Sequence, residues 1–390
     1  MENNRTLDLS AFPEELNIML AFMQMNADQA QQWGKPSMPV IDWNQLLKLI
    51  RHHRVYPQLY SKLKNNNSIP ADFSQALHRD YGMNTLQMLR LSAEMGLLCS
   101  SFQDKAIPSL VLKGPVLADL LYGDVSLRTS KDLDILVPMD GVEKAEEMLT
   151  ELGYESDSHA PRLFNWKWKM HHISYTHPQT RIQVELHWRL NSDMGKEPSF
   201  EELWERRRRS TLMRNEIIYM LGSEDLFMYL VSHGARHGWF RLRWLADIDR
   251  LVRQGVNFET LISLMRRYEC LQLGGQALIL ASTLLGTPIP GSAKPMITSS
   301  HHRELAQRSL YFIRDIVAFS PVPSSQELGK TYKRYLFALK TTRQKSVYIV
   351  GQLYPSFRDT EAMPLPKQLH FLYFPLRPFV WLWRQMRQEA

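Results

Sequence analysis

Cysteine is nearly missing from this chain. Its 390 residues hold only Cys99 and Cys270, far apart and each set among apolar neighbours. That excludes a disulfide-built fold and points to two buried thiols in a reducing compartment. The opening residues Met1-Glu2-Asn3-Asn4-Arg5-Thr6 lack the basic start and apolar segment of a signal peptide, and no apolar run reaches the length of a membrane-crossing helix. The cytoplasm is therefore the expected compartment. There is no repeat at solenoid or propeller period and no RNA-binding module motif. Zinc is not expected either. His171, His172, His177 and His187 match no zinc spacing, and strand alternation predicts His171 and His172 on opposite faces. His233 and His237 stand four apart on a predicted helix, but no glutamate completes a metalloprotease motif. They read as helix-surface histidines, or as one packed beside Trp239 and Trp244.

What is present is enough for more than one core: 44% of the residues are hydrophobic, ordinary for a folded protein. The 47 Lys and Arg exceed the 40 Asp and Glu, for a net charge of +7. That favours anionic partners without choosing among nucleotides, nucleic acid or a membrane surface. Apolar residues recur at helical spacing from about Phe12 to Ser101, with breaks at Gly34 to Pro39 and Asn65 to Pro70. From Ala106 to about Arg189 strands alternate with helices. Asp140 and Glu143 are placed to cap the helix that ends at Gly153. After Ser199 the pattern is helical again, over Phe200 to Arg209, Ser223 to His237 and onward. The expected regions are 1–101 helical, 102–199 α/β, 200–290 helical, and 291–390 helical, basic and aromatic. The fold class is α+β, a small mixed sheet between helical regions.

The most informative segment is Asp132-Leu133-Asp134, followed by Ile135-Leu136-Val137. In a strand, Asp132 and Asp134 project from one face and Leu133 and Ile135 from the other. Two carboxylates that close call for a cation between them, and hard oxygen ligands suit Mg²⁺. A third acid lies in Ile182-Gln183-Val184-Glu185-Leu186-His187, whose alternation marks a half-buried strand with Glu185 facing away from the core. If the two strands are neighbours, the three acids can hold two metals about 3.5–4 Å apart, as phosphoryl-transfer sites do. His187 shares the Glu185 face, where orienting a carboxylate is its expected role. Upstream, the short strand Ser109-Leu110-Val111-Leu112 ends in Lys113-Gly114. Pro115 then suits the first position of a helix and Gly123 its end. A glycine at that junction lets backbone approach a phosphate. Lys113, Arg128 and Lys131 supply positive charge for it.

These residues, Val111-Leu112-Lys113-Gly114, Tyr122, Arg128, Asp132-Leu133-Asp134-Ile135-Leu136-Val137, Gly153-Tyr154 and Val184-Glu185-Leu186-His187-Trp188, resemble the uncharacterised bacterial nucleotidyltransferases of the polymerase-β-like superfamily. The resemblance covers about Leu110 to Trp188 and extends more weakly to the His233–Leu251 region. It implies a small mixed-sheet nucleotidyltransferase core. Gly114 would match the glycine of the nucleotide-binding turn, Asp132 and Asp134 the metal-binding pair, and Glu185 the third acid. The turn departs from the superfamily's usual Gly followed by Ser or Gly, since Pro115 follows and a longer stretch precedes the acids. The expected reaction moves a nucleoside monophosphate from a Mg·NTP to an unidentified acceptor, whether small molecule, saccharide, peptide or protein, and releases pyrophosphate. The alternative is a non-catalytic nucleotide sensor or assembly factor on the same fold.

The remaining basic residues admit milder readings. Arg236, Arg241 and Arg243 are candidates to line the nucleotide or acceptor side of the cleft. Arg206-Arg207-Arg208-Arg209 reads as a solvated run at a helix C-terminus, complementing its dipole. Nucleic acid is not the expected partner. The C-terminal aromatics from Phe371 to Trp383 are expected to cover a groove on the helical part. The other reading is peripheral membrane contact, with Trp381 and Trp383 at headgroup depth and Arg377, Arg384 and Arg387 near acidic lipids.

Overall fold

Leu133, Ile135, Val184 and Leu186 are wholly buried, and the two strands that carry them lie side by side inside a mixed sheet. The computed structural model describes residues 6–34, 41–157, 166–191, 195–317, 325–351, 363 and 365–388. Among these the sheet has seven strands: β1 (Leu110–Val111), β2 (Asp132–Leu136), β3 (Glu155–Ser156), β4 (His172–Thr176), β5 (Gln183–His187), β6 (Arg208–Arg209) and β7 (Tyr219–Met220). Their order is β3-β4-β5-β2-β1-β7-β6. The central pair β2 and β5 is parallel, as is β1 with β7; the other neighbours run antiparallel.

The N-terminal region is helical as expected: Glu14–Gln24, Ala27–Gln32, Trp43–His53, Tyr56–Leu63 and Ala71–Asp104. The break expected at Gly34 to Pro39 falls beyond Gly34 outside the described residues. The 34-residue helix Ala71–Asp104 buries Met88, Leu91, Met95, Leu98 and Phe102 and packs against β2 and the helices Pro115–Tyr122 and Val142–Glu151. It also fixes the approach to the acidic strand. Asn84 Nδ2 donates to the Ser126 carbonyl at 2.7 Å, and the Tyr81 and Ser126 hydroxyls are 2.7 Å apart.

Three local expectations are corrected. The helix Val142–Glu151 starts from Gly141 with no side-chain cap, because Asp140 lies within a 3₁₀ turn, Met139–Gly141, instead of before the helix. The helix predicted to reach Arg209 stops at Glu205, and the sheet continues past residue 199 into β6 and β7. Arg206, Arg207 and Arg208 are consequently built into the fold, while Arg209 is exposed. Arg206 makes two bonds to the Asp225 carboxylate, at 2.7 and 2.9 Å, and Arg207 lies over the rings of Trp204 and Tyr219.

Beyond residue 325 the chain forms Gln326–Ala338, Thr342–Gly351 and Tyr373–Gln388. Tyr373 and Val380 are buried, but Phe371, Phe374, Phe379 and Trp383 are exposed, so the C-terminal aromatics cover a groove only in part. The side chains of Trp381, Arg384 and Arg387 lie outside the described residues. No helix of the described residues is long and apolar enough to cross a membrane.

Candidate active site

The strand pairing on which the three-acid reading depends is present. β2 and β5 run parallel with Asp132 opposite Gln183, Asp134 opposite Glu185 and Leu136 opposite His187. Directly paired residues share a sheet face, so Asp132, Asp134, Glu185 and His187 project together while Leu133, Ile135, Val184 and Leu186 fill the opposite layer. Alternation sorts most charged from apolar side chains here, with Leu136 the apolar residue on the acidic face. β4 adds His172, opposite His187 in register.

One close group is Asp134, Glu185 and His187, whose ligand atoms all lie within 4.8 Å of one another. His187 Nε2 is 3.3 Å from Asp134 Oδ1 and 3.3 Å from Glu185 Oε2. Asp134 is fully buried, with Oδ1 also 2.8 Å from Lys113 Nζ, while Oδ2 has no hydrogen-bond partner among the described residues. Burial alone would push the Asp134 carboxyl up, but the Lys113 charge and His187 outweigh it and hold it well below its ordinary value. Asp132 lies one strand repeat away and outside this tight group. Burial and the Asp134 charge push its carboxyl up, against the opposing pull of Lys113. In Glu185, burial is outweighed by the hydrogen bond from His187, and the carboxyl is held down. His187 is raised in turn, since its two acidic neighbours overcome the burial that would neutralise it.

The phosphate side differs from expectation. Gly114 stands where predicted, at the N-cap of Pro115–Tyr122 with φ +87° and ψ −139°, a conformation glycine alone adopts readily. It abuts the acidic strand: a Cβ there would meet Leu133 Cδ2 at 3.5 Å and the Asp132 carbonyl at 3.7 Å. Lys113, though, is mostly buried and committed to Asp134. Arg128 is engaged elsewhere. It is 1% exposed and clamped by Asp247 of the helix Leu242–Gln254, with Nε 3.0 Å from Oδ1 and Nη2 3.0 Å from Oδ2. Its fork is spent on an internal carboxylate, which Tyr122 also reaches through its hydroxyl at 3.0 Å. Lys131 is exposed at the edge of the acidic strand.

Sequence reasoning missed or misread several neighbours. His171 precedes β4, so strand alternation does not govern it, and its Nε2 lies 3.0 Å from His172 Nδ1. His171, His172 and His187 form a second group of close ligand atoms, bordered by Arg236 Nη1 at 3.3 Å from His171 Nε2. Burial and the charge of His187 push His172 down to about 4, against Glu185 and Asp134. His233 and His237 pack on the Trp244 ring and are kept neutral by burial, His237 at about 3. Arg54 is a further neighbour of Asp132. It ends the helix Trp43–His53 in a left-handed conformation, φ +56°, and its charge acts on Asp132, Arg241 and Arg243. Arg241 is pushed down to about 10 by burial and by Arg54, and Arg243 to about 9 by burial, Arg128 and Arg54. No local pattern marks Arg54; packing between distant segments brings it in.

On the other side, a cavity of about 200 Å³ is lined by Met228, Tyr229, Arg236, Tyr268, Lys333 and Tyr348, among others. Tyr229 lines it, and its hydroxyl, raised by burial, lies in the electrostatic reach of Lys113, Asp134 and Glu185.

The donor set suits a hard divalent cation: two acids from adjacent strands, a third one repeat away, and a buried carboxylate oxygen with no hydrogen-bond partner among the described residues. An antigenic nucleotidyltransferase-like protein from Paracoccidioides brasiliensis, known from its crystal structure, is similar at 14% identity, covering 52% of this chain and 95% of its own, with a TM-score of 0.29. No curated protein matches the chain. The family described as uncharacterised nucleotidyltransferase matches residues 39–286, more than half of the chain and all of the acidic strands just described, and the chain belongs to that family.

Proposed function

We propose that this protein moves a nucleoside monophosphate from an NTP to an acceptor hydroxyl and releases pyrophosphate, with Asp132, Asp134 and Glu185 holding two Mg²⁺ ions. The observation that carries the reading is the direct opposition of Asp134 and Glu185 on parallel strands, joined by His187 Nε2 at 3.3 Å from each. Divalent ions held by these acids would neutralise phosphate oxygens and lower the pKa of the acceptor hydroxyl. The chain's own residues supply the rest. Asp134 stays ionised because Lys113 and His187 face it. Glu185, half-buried, holds the second ion or takes the proton of the acceptor hydroxyl as that hydroxyl's oxygen bonds to the α-phosphorus and the bond to pyrophosphate breaks. Gly114 lets the backbone approach the phosphates, and placement with charge neutralisation does most of the work in such transfers. The cavity at Tyr229 and Arg236 is the acceptor's side.

One observation favours the non-catalytic reading: Lys113 Nζ already stands 2.8 Å from Asp134 and neutralises part of the charge a metal would meet. A single experiment separates the two. The full-length protein is incubated with each NTP, Mg²⁺ and cell extract, and pyrophosphate and nucleotidylated products are followed by mass spectrometry. Transfer lost in Asp134→Asn supports catalysis, whereas nucleotide binding without pyrophosphate release supports the sensor.

A further inference from the structure

Two of the three cations first expected to hold phosphate are already occupied, Lys113 by Asp134 and Arg128 by Asp247, and only Lys131, exposed at the edge of the acidic strand, remains of that set. One lysine is too little for a polyphosphate, and further positive charge lies elsewhere. The charges of Arg54, Arg241 and Arg243 act on Asp132, and no carboxylate among the described residues forms an ion pair with any of the three. Arg243 is buried and donates through Nη1 to the carbonyl and, at 2.9 Å, to the hydroxyl of Thr129, while its Nε has no partner. The Nε of Arg241 is likewise buried without an acceptor.

The arrangement is built from two remote segments. His53 Nδ1 accepts the Leu242 N–H at 3.2 Å, and the His52 ring packs on Phe240. These contacts bring Arg54, one residue after the helix Trp43–His53, alongside residues 241–243. Clustered cations that lack a direct ion-pair partner are costly to bury even with Asp132 and Asp247 in electrostatic reach, and a left-handed arginine adds backbone strain. Guanidinium forks match phosphate oxygens, and several such donors suit a ligand carrying several negative charges.

We infer that Arg54, Arg241 and Arg243 form the polyphosphate-binding side of the site, a guanidinium clamp that grips the nucleotide's triphosphate next to Asp132. The assignment of a nucleotide as ligand rests on the nucleotidyl-transfer reading; the anion site itself does not. It also gives the N-terminal helical region a part in substrate binding. Mutual repulsion among the three is relieved when the anion arrives, so the cluster is worth more in the bound state than in the free one.

The test uses inorganic tripolyphosphate and the full-length protein, free of added metal, followed by calorimetry. The wild type should bind it. Arg54→Met and Arg241→Met should each weaken binding at least about ten-fold, as expected for loss of a charge-assisted contact. The exposed control Arg308→Met should not. A guard against misfolding is the melting temperature: tripolyphosphate should raise it in the wild type and the control and fail to do so in the two clamp variants. Absence of wild-type binding, or clamp variants that bind like the wild type, would overturn the assignment. The two readings fail separately. Arginine-dependent tripolyphosphate binding with no nucleotide transfer keeps the clamp and removes catalysis. Transfer with an unchanged KM in Arg54→Met and Arg241→Met keeps catalysis and removes the clamp.

Discussion

Lys113 and Asp134 form a buried ion pair at 2.8 Å in the centre of the acidic site, the lysine from the turn after β1 and the aspartate from β2. Removing either partner alone leaves the other charged and enclosed. Asp134→Asn should therefore cost about 3–5 kcal/mol of stability in denaturant unfolding as well as abolish nucleotide transfer. The double variant Lys113→Met with Asp134→Asn removes both charges and should recover most of that stability while remaining inactive. If the double variant is no more stable than the single one, the pair does not hold Asp134 as described.

The pair Arg128 and Asp247 makes the corresponding case for structure. It is fully enclosed and bonded through both carboxylate oxygens. Asp247→Ala should lower stability by about 3–5 kcal/mol, because the guanidinium stays charged without a counterion. Arg128→Met alone should also lose stability. In the double variant the losses should fall well short of additive, the signature of a direct contact in a double-mutant cycle.

The two strands of the site were legible because half-buried strands write their faces into a period of two, and Asp132, Asp134, Glu185 and His187 all fall on the side the alternation assigns. Their parallel adjacency was not legible. It is a long-range relation, consistent with but not dictated by either segment. The same limit explains Arg128, whose partner lies 119 residues away, so its charge looked available when read beside the motif alone. Arg206 failed for the same reason, with Asp225 placed against it by the return of the chain through β7. His171 shows a different limit: alternation was applied one residue before the strand starts.

Gly114 offers a test of backbone geometry without deleting a side chain. A methyl group there meets its nearest neighbours at ordinary contact distances, 3.5 Å and beyond, so Gly114→Ala suffers from φ +87° and not from crowding. The expected cost is about 1–3 kcal/mol of stability. Nucleotide turnover should fall further than stability does, since the turn borders the Asp132 backbone. An alanine variant as stable and active as the wild type would show that the turn relaxes without consequence.

His53 gives the pH dependence its sign. It is fully buried, its Nδ1 accepts the Leu242 N–H, and burial with the charges of His52 and Arg241 depresses it well below its ordinary value of 6.5. The folded protein therefore keeps this ring neutral while the unfolded chain protonates it near 6.5. Below that pH the unfolded state binds the extra proton, so stability falls with falling pH, by about 1.4 kcal/mol per pH unit for this one group until the folded value is reached. His52, lowered to about 4 mainly by burial, acts in the same direction between 6.5 and about 4. Urea unfolding followed from pH 7.5 to 5 should show this decline. His53→Gln should flatten it, because the amide oxygen can accept the Leu242 N–H and does not titrate in this range. A slope equal to the wild type's in that variant would mean that His53 is charged in the folded protein. The junction holding Arg54 beside Arg241 and Arg243 would then rest on a different contact.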